Sequence, residues 1–380
     1  MTQATKKQDI HKKAIAGVLS LEAYTPGMPI EELQRKLGVA EAVKLSSNEN
    51  PLGMSPVARK AVADAITGTD LARYPDGSGF RLKKKLAEMH KISADCITLG
   101  NGSNDIIELL GRVYLGPGRK AMFSVHAFAV YSIIAQSQDA EMIVVPARPM
   151  SDAMPMGHDL GAFAAQLTSD VSLIFIANPN NPTGTWLQPG EIEAFLNKVP
   201  ADVIVALDEA YYEYMDPALS GNSRALLDKF PNLVVFRTFS KAYGLAGLRA
   251  GYALSSPEMA DLLNRVRQPF NNNSLALLAA EVAIEDQAFV QKSVELNNKE
   301  ITRLATALKA LGLTVLPSQA NFLAIGFGRD AKPVHQGLLE RGVIVRPIAS
   351  YDMPEFLRVS IGTERENDRF LAALKEILNA

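Results

Sequence analysis

The sequence predicts an α/β protein. A large domain with a mostly parallel seven-stranded sheet flanked by helices is joined to a smaller α/β domain built from both chain ends. Three observations predict it. Short apolar runs alternate with helical stretches between residues 96 and 254. The stretch 256–312 is predominantly helical, and the chain beyond it returns to strands and helices.

The strand candidates of the large sheet are CITLG (96–100), AMFSV (121–125), MIVVP (142–146), SLIFIA (172–177), VIVALD (203–208), LVVFRT (233–238) and AGYAL (250–254). Most are continuous apolar runs, as strands buried on both faces require. Between them, 104–115, 129–138 and 189–199 read as helices, so right-handed crossovers and a parallel sheet follow. A long charged segment from Asp286 to Leu311 carries apolar residues at helical spacing. The strands 313–317, 321–327, 342–348 and 356–362, with helices at 333–341 and 364–379, make the smaller unit. The expected division is 1–45 (N-terminal arm and part of the small domain), 46–285 (large domain) and 286–380 (C-terminal small domain).

At 380 residues, 47% hydrophobic and 21% charged, the chain can bury a sizeable core. Lys plus Arg number 39 against 41 for Asp plus Glu, so charge supplies no reason to expect nucleic acid or an anionic membrane as partner. The single cysteine, Cys96, excludes disulfides within the chain and a cysteine-rich zinc site, and no metal is expected. The start, MTQATKKQDIHKK, is polar and basic with no apolar run after it, and no uncharged stretch is apolar enough to span a bilayer. A soluble cytoplasmic protein is expected.

Four local patterns carry chemistry. Lys241 follows the strand 233–238 in TFSKAYGLAGLRAG, at the end of a parallel strand where ligands bind. Partial desolvation there lowers a lysine's pKa and makes its amine nucleophilic toward carbonyls; an ordinary surface lysine is the alternative. Asp208 closes the strand VIVALD, where it either caps the next segment or stays ionised beside a cationic ring nitrogen. In CITLGNGSNDII a strand, a glycine-bearing turn and a helix start near Asn104 form either a plain turn or a phosphate cradle. It is neither GxGxxG nor a P-loop. NPNNPTG (178–184) is a rigid turn, and Asn181 offers a fixed amide beside the strand ends. One molecule takes a carbonyl to a lysine, a phosphate to a cradle and a ring nitrogen to a carboxylate: pyridoxal 5′-phosphate.

SNENPLG (47–53), RYPDGSG (73–79), GNGSND (100–105), NPNNPTG, DEAYYEY (208–214), TFSKAYGLAGLRAGY (238–252) and FLRVSIG (356–362) together resemble the class-I/II, fold-type-I pyridoxal-phosphate aminotransferases, and more closely the histidinol-phosphate aminotransferase family. The resemblance runs in order from Tyr24 to the C-terminus. It implies that Lys241 holds the cofactor covalently and then carries the proton, and that Asp208 keeps the pyridine nitrogen protonated. Tyr211 and Asn181 are then placed at the ring hydroxyl, and Phe128 on the ring face. Ser103, Asn104, Thr238, Ser240 and Arg249 are implied at the phosphate. Tyr74 is implied to reach the phosphate of the other subunit of a homodimer. Tyr24, Asn48, Arg346 and Arg358 are implied as substrate residues, a guanidinium being able to pair with phosphate or carboxylate.

The implied reaction moves an amino group between L-histidinol phosphate and 2-oxoglutarate, giving L-glutamate, in histidine biosynthesis. The stretch FSVHAFAVY departs from the commoner PTY-type sequence, and RPIASYDMPEFLRVSIGT resembles a subgroup that occurs as a second paralogue. Aromatic amino acids therefore stay open as alternative substrates. Two further alternatives share the scaffold: a phosphothreonine-type decarboxylase and a non-catalytic ligand-binding domain.

Overall fold

The structure, a computed structural model, describes residues 10–24, 26–39, 41–68 and 71–379. The polar, basic start read in the sequence lies partly outside them. The large sheet contains β1 (Ile97–Gly100), β2 (Lys120–Ser124), β3 (Glu141–Val145), β4 (Val171–Ala177), β5 (Ile204–Asp208), β6 (Leu233–Thr238) and β7 (Gly251–Leu254), in the order β1-β7-β6-β5-β4-β2-β3. Successive residues of a strand face opposite sides. Accordingly Ile174, Ile176, Val205, Leu207 and Val235 enter one core, while Leu173, Phe175, Ala206, Val234 and Phe236 enter the other. That is why these runs are apolar throughout rather than alternating.

All neighbouring pairs are parallel except those of β7, which runs antiparallel to both β1 and β6. The reason lies in the link from Thr238 to Gly251. It holds one short 3-10 turn, Ala246–Leu248, rather than a crossover helix, so the chain returns in the opposite direction. Two antiparallel pairings leave β1 pointing the same way as β6. Gly100, Ala177, Asp208 and Thr238 therefore end their strands along one edge of the sheet.

A second sheet is antiparallel, with β8 (Thr314–Val315), β9 (Phe322–Gly326), β10 (Arg346–Pro347) and β11 (Phe356–Ser360) in the order β10-β11-β9-β8. Its core holds Leu323, Ile325, Leu357 and Val359 against Leu338, Phe370 and Leu374 of the helices Lys332–Glu340 and Glu364–Leu378. The latter helix opens with a reciprocal cap between Thr363 and Glu366. The charged helix Gln287–Ala310, capped by Asp286, joins both cores: Val290 packs into the large one and Leu304 and Leu308 into the small one.

One expected strand is corrected. The run 342–348 is not continuous: Val343–Ile344 pairs parallel with Val43–Lys44, and the chain then changes partner so that Arg346 pairs with Arg358. Pro347 lacks an amide donor, which suits the outer strand where the second half lies. The first pairing fastens residues 43–44 onto the C-terminal unit, as the expected contribution of both chain ends requires. Among the described residues, no helix is long and apolar enough to cross a membrane.

Candidate active site

The crevice at the carboxyl edge of β1, β4, β5 and β6 gathers fourteen of the fifteen residues expected from the sequence: Tyr24, Asn48, Ser103, Asn104, Phe128, Asn181, Asp208, Tyr211, Thr238, Ser240, Lys241, Arg249, Arg346 and Arg358. Tyr74 is the one not brought in. It is 81% exposed and stacks on Phe270 with ring centroids 4.6 Å apart.

Lys241 lies just past β6 on a turn that begins with buried Thr238, whose hydroxyl accepts from the Ser240 amide at 3.1 Å. Its amine donates to the Ser47 carbonyl at 3.2 Å and stands 5.6 Å from the Tyr211 ring centroid. Burial lowers its pKa to about 8, and the charges of Arg358 and Arg249 act in the same direction. A useful fraction of the amine is therefore neutral near physiological pH.

Asp208 ends β5 and is buried. Burial raises its pKa to about 6, against the hydroxyl of Tyr131, which donates to Oδ2 at 2.7 Å, and the Ala210 amide, which donates to Oδ1 at 3.0 Å. Tyr211 is buried three residues later, and burial pushes its phenol up to about 12, so it stays a neutral donor. Asn48 donates to the Tyr211 oxygen at 2.9 Å, which leaves the phenolic proton free to point into the crevice.

At the other end, the helix Ser103–Tyr114 has no side-chain cap, and among the described residues the Ser103 and Asn104 amides meet no acceptor. Such amides sum with the helix dipole into an anion seat. Two glycines permit the close approach. Gly102 has φ +78°, and a Cβ there would lie 2.5 Å from Arg249 Nη2; one on Gly251 would lie 2.5 Å from the Ser103 amide nitrogen. Arg249 donates to Ser240 Oγ at 3.4 Å, which completes the cradle.

Arg358 is buried, donates to the Ser46 carbonyl at 2.7 Å and to Asn181 Oδ1, and leaves Nε with no hydrogen-bond partner. Arg346 is its direct cross-strand partner and lies over the Tyr24 ring, its guanidinium carbon 5.4 Å from the centroid. Like charges placed opposite each other repel. Among the described residues neither arginine forms an ion pair with a carboxylate, so two positive charges face each other at this end of the crevice.

Sequence reasoning missed Tyr131, Ser46 and Ser47. Tyr131 sits on the helix Val130–Ser137, stacked on Phe175 at 4.5 Å and edge-on to Phe128 at 5.9 Å. It follows Phe128 by three residues across the turn that leads into the helix, its amide donating to the Phe128 carbonyl at 3.0 Å. Ser46 and Ser47 act through backbone carbonyls, which leave no trace in residue identity. The donor set fits pyridoxal phosphate: an anion cradle, a lysine of lowered pKa, and a buried carboxylate with no ion-pair partner among the described residues.

The aminotransferase class I and II family model matches residues 40–374. Histidinol-phosphate aminotransferase 2 of Pseudomonas aeruginosa is 54% identical over 364 residues, covering 95% of this chain and 96% of that protein. Histidinol-phosphate aminotransferase 1 of Dechloromonas aromatica is 52% identical over 368 residues, covering 96% and 99%. Among solved structures, histidinol-phosphate aminotransferase from Sinorhizobium meliloti in complex with pyridoxal-5′-phosphate superposes with a TM-score of 0.88 at 27% identity, covering 97% of this chain and 98% of that one. The chain belongs to the class I and II aminotransferases.

Proposed function

We propose that the protein is a histidinol-phosphate aminotransferase that moves an amino group between L-histidinol phosphate and 2-oxoglutarate. The observation that carries this reading is the cross-strand pair Arg346 and Arg358, free of carboxylate partners among the described residues and lining the same crevice as Lys241. One substrate brings a phosphate and the other two carboxylates, and planar guanidinium groups accept either. The identities of 54% and 52% to proteins of that name support the same substrate pair.

Pyridoxal phosphate supplies an aldehyde for the amino group and an electron-withdrawing ring. Lys241 would hold the cofactor through its amine and, once displaced by the substrate amine, would be the base placed to carry the proton from the substrate carbon. Asp208, fixed by Tyr131 and the Ala210 amide, would pair with the ring nitrogen and keep it protonated. Tyr211 and Asn181 would serve the ring hydroxyl, and Phe128 would cover the ring face. Ser103, Asn104, Thr238, Ser240 and Arg249 hold the phosphate. The working unit is a homodimer in the cytoplasm, with exposed Tyr74 reaching the partner's phosphate cradle, and the chain divides into 1–45, 46–285 and 286–380. The test is glutamate formation from 2-oxoglutarate, dependent on L-histidinol phosphate. Carbon dioxide release without a keto product would assign a decarboxylase instead.

A further inference from the structure

Ser360 is buried, does not line the crevice and has no part in the chemistry described above. It ends β11 two residues after Arg358, so the two side chains leave the strand on the same face. Together they grip the segment 46–48. Arg358 donates to the Ser46 carbonyl at 2.7 Å, and Ser360 engages Asn48 twice. The Asn48 backbone amide donates to Ser360 Oγ at 2.8 Å, and Ser360 Oγ in turn donates to Asn48 Oδ1 at 3.0 Å. Asn48 is itself buried and holds a left-handed backbone at φ +53°, a conformation that asparagine tolerates better than most residues. Its carbonyl accepts from Asn321 Nδ2 at 3.0 Å.

The direction of the Asn48 side-chain amide decides what the Tyr211 phenol can do. With Nδ2 donating to the Tyr211 oxygen at 2.9 Å, the phenolic proton is left for the crevice. Turned over, the amide would present Oδ1 to the phenol, which would spend its proton there and face the crevice only as an acceptor. Shape does not choose between the two, because a hydroxyl and a phenol each accept and donate. The proton count does. Ser360 Oγ already accepts from the Asn48 backbone amide, so its own proton needs an acceptor, and among the described residues Asn48 Oδ1 is the one it has. With the amide turned, that buried proton has no acceptor, and a buried donor left unpaired is costly.

We infer that Ser360 is a positioning residue: its hydroxyl fixes the Asn48 amide and thereby aims the Tyr211 proton at the ring oxygen of the cofactor. This rests on the cofactor placement proposed above and deepens it. The ring oxygen lies beside the aldehyde carbon that Lys241 takes. An oxygen that accepts from Tyr211 is less basic, so the Lys241 nitrogen bonded to the cofactor gives up its proton at lower pH. The strand that carries Arg358 therefore also sets the ionisation of the group on Lys241.

Ser360→Ala removes the hydroxyl, which frees the amide to turn and take the phenolic proton. Two readouts need no turnover: the pH midpoint of the visible absorbance of the cofactor-loaded protein, and titration of the cofactor-free protein with pyridoxal phosphate. The midpoint should rise by about one pH unit and binding should weaken about tenfold, the loss of one hydrogen bond to a charged oxygen. Tyr211→Phe should raise the midpoint at least as far, and adding Ser360→Ala to it should change nothing more. A midpoint that stays put in Ser360→Ala while moving in Tyr211→Phe would overturn the inference and leave the cofactor placement intact. A further shift on top of Tyr211→Phe would show that Ser360 acts by a merely structural route, and would overturn it as well. A midpoint unmoved by Tyr211→Phe would overturn the placement of Tyr211 at the ring, and the inference with it. Should Ser360→Ala fail to fold, Ser360→Cys, which keeps only a weak donor, should raise the midpoint in the same direction by less, and an unchanged midpoint there would count against the inference.

Discussion

Asp208→Asn should stabilise the cofactor-free protein while damaging its function. The carboxyl group is buried, and its pKa is raised from 3.8 to about 6 by that burial. A native pKa above the unfolded one means that the folded state retains a proton the unfolded state has released. Stability is therefore fully present below pH 3.8 and is lost as the pH rises to about 6, beyond which the loss is constant. Integrating the linkage relation gives a cost of about 1 kcal/mol at pH 4.5 and about 3 kcal/mol at pH 7.5. Asparagine carries no charge, so it removes this cost; its oxygen accepts from the Ala210 amide while its NH2 donates to the Tyr131 hydroxyl oxygen. With an unfolding entropy of roughly 2.1 cal/mol/K per residue, 3 kcal/mol corresponds to a rise of roughly 4 °C in melting temperature. The assay is thermal unfolding of the cofactor-free variant and its parent at both pH values. The difference should grow by about 2 kcal/mol between them. A difference independent of pH, or a less stable variant at pH 7.5, would refute a desolvated carboxylate at this position. With saturating pyridoxal phosphate the order should reverse, because only the parent pairs a charge with the ring nitrogen.

Three further perturbations probe the rest of the site. Gly102→Ala puts a Cβ 2.5 Å from Arg249 Nη2 in an extended positive-φ backbone that costs a non-glycine residue about 1–3 kcal/mol, so titration of the cofactor-free variant should show pyridoxal phosphate binding weakened at least tenfold; unchanged affinity would remove this turn from the phosphate site. Arg358→Ala should raise KM for both L-glutamate and L-histidinol phosphate by about a hundredfold, and an effect on neither would place the anion site elsewhere. Lys241→Ala should leave no cofactor fixed to the protein by borohydride. Mixed with Tyr74→Ala, it should recover activity, because a hybrid dimer has one site with both residues intact; no recovery would mean that Tyr74 does not act across subunits.

The large sheet was readable because strands buried on both faces must be apolar throughout, and SLIFIA, VIVALD and LVVFRT advertise that burial. The direction of β7 was harder to read, since AGYAL resembles its parallel neighbours and only the missing crossover helix betrays it. The break in 342–348 depends on pairing with Val43–Lys44, a contact three hundred positions distant that local pattern cannot express. At the site, side chains with an evident chemical task were legible: Lys241, Asp208, Arg249, Arg346 and Arg358. The groups that hold them were not. Tyr131 looks like a core aromatic in the sequence, and what ties it to the site is a single oxygen, which donates to Asp208. The carbonyls of Ser46 and Ser47, which fix Arg358 and Lys241, belong to the backbone and leave no mark on residue type.

The central claim is that the crevice is built for an amine bearing a phosphate, received by Arg346 and Arg358 opposite Lys241. The most direct test is kcat/KM for L-histidinol phosphate measured beside phenylalanine and tyrosine, with 2-oxoglutarate as acceptor. A clear preference for L-histidinol phosphate is expected, whereas a preference for the aromatic amino acids would contradict the account.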